Sequence, residues 1–474
     1  MDTFILGFDL CDDYSQVAWY QPGMKEPEAV VFGEGDHPTQ IATAVCKMRG
    51  REQWVAGEDA SRCALLGAGS IVDKLLKQIM KDGTATIEGV RYTAEDLCLT
   101  YLRTTLAMAR INILKQKAAK DGEKQDEVEQ SKEEPQSEAT ELELDGTMQD
   151  PAAEQPKPGE WVEQVTFSLQ HLERRIMDTL IRCMDCLGIA RDRVRFQSHA
   201  ESFAFFTVSQ KMDLWANEVG LFDLTKEGLF YYEFSCVRGQ HPNALRVTRT
   251  DLEEAFSLDL LDTESGRKLA DSILKPCAER MLQRKIFSAV FLSGQGMADC
   301  TEWAKSFLQV VCNKRRVYIA DNVFAKGAAY QAADLRRPNT AYPYRLECQG
   351  RLGVEIYLEV LSKGVPKKLV LARAGSNWYE AVGEAELLTN AEDTLEVVLE
   401  PIYAATSRAV PIRRIPISLA EFPVREGYTT RIHLQTVFTS ERRLLVEVTD
   451  LGFGEIYPAS GAVSRQEISL IGSN

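Results

Sequence analysis

Phe4-Ile-Leu-Gly-Phe-Asp-Leu10, a polar turn and Val17-Ala-Trp-Tyr20 return in altered form about 214 residues further on. There the chain reads Val219-Gly-Leu-Phe-Asp-Leu224, a short turn, then Leu229-Phe-Tyr-Tyr-Glu-Phe234. Each copy is an apolar run of strand length that ends in Asp, turns, and runs back as a second strand. A hairpin duplicated with a carboxylate at each first turn predicts two related lobes facing one cleft.

Strand-like runs at 29–32 and 53–56 come after the first hairpin. Leu97, Leu99, Leu102, Leu106 and Met108 give residues 93–113 the apolar face of a helix. Residues 115–160 are rich in Glu, Gln, Lys, Pro and Ser and lack aromatics, so they read as an acidic disordered insertion. Such a tract is a tolerated surface loop or a regulatory tether. A second lobe starts at about 161. It holds a strand at 162–168, a helix at 171–187, a strand at 194–197 and a helix at 201–211 ahead of the second hairpin. A helix at 266–283, a strand at 289–292, the turn Ser293-Gly-Gln-Gly296, a strand at 317–319 and a helix at 322–333 complete it. This alternation argues for an α/β core over 1–336. A linker at 337–345 then gives way to short alternating runs at 353–361, 368–372, 394–399, 430–438 and 444–449. Residues 346–474 are therefore expected to form an antiparallel β-sandwich.

At 474 residues the chain exceeds one ordinary core, and two or three domains are expected. Residues 121–160 hold 14 Asp and Glu against 3 Lys and so carry −11 of the net charge of −15. With no basic stripe elsewhere, a nucleic-acid partner has no electrostatic support. No apolar run reaches the roughly 18–20 residues of a spanning helix, and no membrane partner is expected. The opening apolar run has no basic leader and the eleven cysteines are scattered, which points to the reducing cytoplasm. Cys183 and Cys186 are spaced for zinc or redox chemistry, but zinc needs two more close ligands and the five histidines form no cluster. Both are read as small core residues of a helix.

Four segments occur in a telling order: Gly7-Phe-Asp-Leu-Cys-Asp-Asp-Tyr-Ser15, Phe222-Asp-Leu-Thr-Lys-Glu-Gly228, Phe291-Leu-Ser-Gly-Gln-Gly296 and Lys326-Gly-Ala-Ala-Tyr-Gln-Ala332. Over nearly its whole length the chain resembles the seventy-kilodalton heat-shock chaperones of the actin, hexokinase and heat-shock group. The segments stand where that family has its two phosphate loops, G-x-D-L-G-T-T-x-S and F-D-L-G-G-G-T, its adenosine-supporting V-G-G-S turn and its closing Y-G-A-A-x-Q-A helix. Ile432, Leu434 and Phe438 with Leu444, Val446 and Val448 keep the alternation of the family's sandwich hairpin, with Arg442 in place of its turn glycine. The resemblance implies an actin-like (ribonuclease H-like) two-lobed nucleotide-binding-type domain followed by a substrate-binding-like β-sandwich. The family's helical lid would be missing, and the joining segment Arg336-Arg-Pro-Asn-Thr-Ala-Tyr-Pro-Tyr344 lacks the family's leucine run.

By the same resemblance, Asp9 and Asp223 would orient waters around the magnesium of a bound ATP or ADP, and Lys74 falls near the family's catalytic lysine. Cys11, Asp12, Asp13, Thr225 and Lys226 would line the phosphates, and Gly294, Gln295 and Gly296 the adenosine. The departures matter more. Phosphate loops need glycine so that backbone N–H groups can approach the anion. Here Cys11, Asp12 and Asp13 replace Gly-Thr-Thr, and Thr225, Lys226 and Glu227 replace three glycines. A carboxylate close to a phosphate costs about 1 kcal/mol in water and up to about 4 kcal/mol at an effective dielectric of 20. The expected function is a chaperone-like binder of an extended peptide or protein client, with weak or absent ATPase activity. Asp12 and Asp13 would be solvated turn residues or ligands for another cation. The alternatives are a working ATPase chaperone using Asp9, Asp223 and Lys74, an actin-like scaffold, and a small-molecule kinase. The oligomeric state stays open.

Overall fold

A computed structural model describes residues 2–34, 37–126, 155–239, 241–254, 256–389, 394–401, 411–423, 425 and 430–470. The chain divides into two units, Met1–Cys236 with Val247–Tyr342, and Val237–Arg246 with Pro343–Asn474. The sequence places a linker at 337–345. In the structure Tyr342 still belongs to the first unit: its ring meets Phe205 edge-on and its hydroxyl lies 2.6 Å from that of Ser209.

The first unit uses one arrangement twice. Strands β1 (Phe4–Leu10), β2 (Tyr14–Tyr20) and β3 (Glu28–Ala29) form an antiparallel meander. Helices α1 (Leu75–Met80) and α2 (Ala94–Asp126) come after it. Next come β4 (Val162–Leu169), α3 (Arg174–Cys186), β5 (Val194–Ser198) and α4 (His199–Val208). With β1 parallel to β4 and β4 parallel to β5, the strand order is β5-β4-β1-β2-β3. The second half repeats this with β6 (Glu218–Thr225), β7 (Gly228–Val237), β8 (Ala244–Leu252), α5 (Glu264–Leu282), β9 (Phe287–Ser293), α6 (Lys305–Val311), β10 (Arg316–Ile319) and α7 (Val323–Leu335). Its order is β10-β9-β6-β7-β8, again with the first strand parallel to its neighbour. Central strands covered on both faces need continuous rather than alternating apolar sequence. All seven residues of β1 are buried, and all of β6 but Glu218.

Small residues let α7 lie against both β1 and α4. A side chain at Gly7 would overlap the backbone of Ala325 and Ala329, and one at Gly327 would overlap the Ser202 carbonyl. The long α2 buries Leu97, Cys98, Tyr101, Leu102 and Leu106 and continues to Asp126. Residues 115–126, read from sequence as the start of the disordered insertion, are therefore helical; 127–154 lie outside the described residues. Cys183 is a core residue as expected, whereas Cys186 on the same helix is exposed.

The second unit consists of two four-stranded antiparallel sheets. One is ordered β12-β11-β14-β15, from β11 (Val354–Ser362), β12 (Val365–Ala372), β14 (Thr394–Pro401) and β15 (Arg413–Ser418). The other is ordered β13-β16-β17-β18, from β13 (Val382–Thr389), β16 (Thr430–Ser440), β17 (Arg443–Asp450) and β18 (Val463–Ser469). Ile432, Leu434, Phe438, Leu444, Val446 and Val448 are all fully buried, as their alternation demands. Arg345–Glu347 runs parallel to Ala244–Arg246, the first three residues of β8, which fall in this unit, and Arg246 donates to the buried Glu347 carboxylate at 2.8 and 3.1 Å. Among the described residues no helix is long and apolar enough to cross a membrane.

Candidate functional site

The repeated hairpins put Asp9 and Asp223 in matching places. Asp9 sits one residue before the end of β1, opposite Ser168 on the parallel neighbour β4; Asp223 sits two before the end of β6, opposite Ser293 on β9. Both carboxylates are buried. The loop after β1 is Cys11–Asp13, and the β6–β7 turn is Lys226-Glu227, closed by the Thr225–Gly228 pair.

His199, the first residue of α4, completes the centre. Its Nε2 lies 2.8 Å from Asp9 Oδ1 and 3.8 Å from Cys11 Sγ, and the thiol is 3.9 Å from the same carboxylate oxygen. The imidazole stacks on Phe324 of α7, centroids 4.0 Å apart and planes 7° from parallel. Thiol and carboxylate therefore face one ring nitrogen. A nucleophile relay would instead place the carboxylate on the opposite nitrogen from the thiol. Burial, with Asp9 beside it, also pushes the Cys11 thiol well above its ordinary range, so in this setting it is not an activated nucleophile. Burial pushes the Asp223 carboxyl up to about 7, with His199 opposing and the negative charge of Asp9 adding. Asp223 Oδ1 and His199 Nδ1 have no hydrogen-bond partner among the described residues.

The sequence-predicted phosphate residues behave differently from one another. Asp12 accepts from the backbone N–H groups of Leu76 at 2.9 Å and Lys77 at 3.2 Å, so it caps α1. Lys77 Nζ stands 3.6 Å from Asp12 and 3.3 Å from Glu227. The repulsion expected from Asp12 is thus largely compensated, by a helix N-terminus and an ammonium group. Lys74, the candidate catalytic lysine, occupies the left-handed position just before α1 (φ 52°) and is exposed. No ion pair joins it to Asp9 or Asp223 among the described residues, and Lys77 is the lysine that reaches the two loops. Thr225 is turned into its own hairpin, accepting from the Glu227 N–H at 3.2 Å.

Three cavities adjoin these loops. One of about 740 Å³ is lined by Cys11, Asp12, Asp13, Lys74, Lys77, Lys226, Glu227 and Arg249, among others. Arg249 lies over the Phe230 ring at 4.5 Å and pairs with Asp251 at 2.7 Å. A second, of about 640 Å³, is lined by Asp13, Lys226 and Gln295, whose amide donates to Gln40 at 2.8 Å. Between Cys11, Asp13, His199, Asp223, Thr225, Phe230 and Phe324 the space shrinks to about 10 Å³. Gly294 turns the chain tightly beneath it: its φ of 87° is a glycine conformation, and a side chain there would strike Leu224 and Asp223. Gly296 is buried against Leu224 and Leu258.

His199, Lys77 and Arg249 were not singled out from sequence. For His199 a signal existed: Ser198-His-Ala-Glu201 is a helix-start pattern directly after a strand, and Ser198 Oγ accepts from the Glu201 N–H at 3.2 Å.

Comparison with known families matches residues 351–470 to a domain of unknown function (DUF8552). Residues 26–120 and 145–349 match the C-terminal model of a family of unknown function (DUF5716). No curated protein matches the chain. Since the second match spans more than half of its length, the chain belongs to the DUF5716 family.

Proposed function

We propose that the protein is a divergent member of the seventy-kilodalton heat-shock-like group that binds an extended peptide or protein segment and has weak or absent ATPase activity. The reading of the first unit as actin-like rests on the doubled strand order, with an aspartate near the end of each first strand. One observation carries the rest: where two aspartates would share a magnesium-bridged polyphosphate, Asp9 is hydrogen-bonded to His199 and only about 10 Å³ is open beside Asp223. That is the room of a single water, so a magnesium-bridged phosphate does not fit between these two carboxylates, and a nucleotide would be left to the adjoining cavities of about 740 and 640 Å³, whose walls carry Asp12, Asp13 and Glu227. On this reading Asp9, Asp223 and Lys74 take no phosphoryl-transfer role.

The second unit is the proposed contact surface. At the tip of the β11–β12 hairpin Leu361 and Val365 are 68% and 63% exposed, and Val370 on the same strand as Val365 is 38% exposed. Apolar side chains at the hairpin tip and on the edge strand β12 suit an extended segment that adds backbone hydrogen bonds to side-chain contacts. The eleven free thiols suit the cytoplasm as the working compartment.

The test is fluorescence anisotropy of Leu- and Val-rich heptapeptides titrated with the full chain, with and without ATP and magnesium, alongside phosphate release. Saturable binding with one dissociation constant in both conditions, and no turnover, is the expected result. ATP-stimulated peptide release with turnover would replace this reading with a working ATPase, and absence of peptide binding would remove it.

A further inference from the structure

We infer that Asp9, Cys11 and His199 together bind a zinc ion. Three donor atoms from two distant segments, Asp9 Oδ1 at the end of β1 with Cys11 Sγ two residues later and His199 Nε2 at the start of α4, lie within 4.8 Å of one another. Tetrahedral zinc, with bonds of roughly 2.0–2.3 Å, sets neighbouring donors about 3.3–3.7 Å apart. The observed separations of 2.8, 3.8 and 3.9 Å bracket that range, so seating an ion requires shifts of about half an ångström. The donor set of one thiolate, one imidazole and one carboxylate suits zinc and not magnesium, which takes oxygen ligands.

Two further observations favour an ion over a plain Asp–His hydrogen bond. That bond alone gives no reason for a thiol to face the same ring nitrogen, whereas convergence of all three on one point is what a metal requires. In addition, Asp223 is buried, its Oδ1 has no partner among the described residues, and it lines the same space of about 10 Å³ as Cys11 and His199. That space takes one water as fourth ligand, with Asp223 beside it to accept a hydrogen bond from that water. The Phe324 ring under His199 fixes the imidazole plane before binding. On binding, the Cys11 thiol releases its proton to solvent and the thiolate–zinc bond replaces S–H. The ion would tie the first hairpin to the start of α4. Its binding is independent of what the second unit binds.

The test uses the full chain, stripped of metal and titrated with Co²⁺ as a spectroscopic stand-in, then with Zn²⁺ against a chromophoric chelator. One equivalent is expected, with strong visible bands of a tetrahedral ion and a thiolate-to-cobalt charge-transfer band in the near ultraviolet. Cys11→Ser should abolish the charge-transfer band, and Cys11→Ser and His199→Ala should each weaken binding by about a hundredfold or more. Cys186→Ser, at an exposed cysteine, should change neither. Weak octahedral bands indifferent to Cys11→Ser, or loss of binding in Cys186→Ser instead, would overturn the inference. Should Cys11→Ser fail to fold, zinc-edge X-ray absorption of the unaltered chain decides. One sulfur with nitrogen and oxygen ligands supports the site, and a shell of several sulfurs or none refutes it.

Discussion

Asp12 shows what a local sequence pattern does not carry. Its position beside the cleft follows from the hairpin, but its partners, the Leu76 and Lys77 N–H groups, lie more than sixty residues away and leave no mark in the local pattern. Because α1 lacks a capping side chain at Lys74, Asp12 supplies that cap from another segment. Asp12→Ala is expected to cost about 1 kcal/mol in urea denaturation, the ordinary worth of a cap. Asp13→Ala, which removes no side-chain hydrogen bond of the described residues, should stay within about 0.5 kcal/mol. Equal effects would contradict the capping role. Asp9 and Asp223 were legible because the repeat singled them out twice. His199 was not, because one histidine at a helix start has meaning only once α4 is known to begin beside β1. Gly7 carries a sharper expectation: a methyl group there must push against the α7 backbone, so Gly7→Ala should lower stability by about 3 kcal/mol. Gly23→Ala, where nothing lies near but φ is 104°, serves as the comparison for strain without overlap.

At the scale of elements, the strands with buried apolar runs announced themselves, and those missed in the two sheets of the second unit are all edge strands. β1, β6 and β9 are nearly continuous apolar runs because both faces are covered. The three strands of the second unit missed from sequence, β13, β15 and β18, each lie at the edge of a sheet. β13 and β18 bury only Gly383 and Ile468, so their identity rests on backbone pairing that composition does not record. The segment after β17 is held by charge. Asp450 accepts from both terminal nitrogens of Arg425 at 2.7 and 2.8 Å, from the N–H of Gly452 and Ser460, and from the Ser460 hydroxyl. Arg425 beside it holds the Asp450 carboxyl well below the usual carboxylate range. With its pKa lower in the fold than in the unfolded chain, Asp450 adds stability at neutral pH. That stability is lost as acid protonates the unfolded form first and then the folded one. Arg425→Ala leaves a buried carboxylate without its partner and should cost about 3–5 kcal/mol at pH 7. The difference from the unaltered protein should shrink as the pH falls below about 4, the ordinary aspartate value, read by urea melts at each pH. A constant difference would refute the charge account.

At the scale of the whole chain, the repeat and the change of texture near 340 separate two units from sequence alone. The assignment of Val237–Arg246 to the second unit was not accessible, since nothing in a hairpin's own sequence says which neighbour its tip will pair with. Each unit has its own apolar core, Phe222, Leu274, Leu292 and Phe307 in the first and Leu434, Phe438, Leu444 and Val446 in the second. Separate cores melt as separate cooperative steps unless the contact between them is large and apolar. Scanning calorimetry of the full chain should therefore resolve two transitions. Gly7→Ala should lower one of them and Arg425→Ala the other, because each substitution acts inside a different core. A single transition displaced as a whole by both substitutions would mean that the two units fold as one, and the stability of each would then have to be argued from the chain entire.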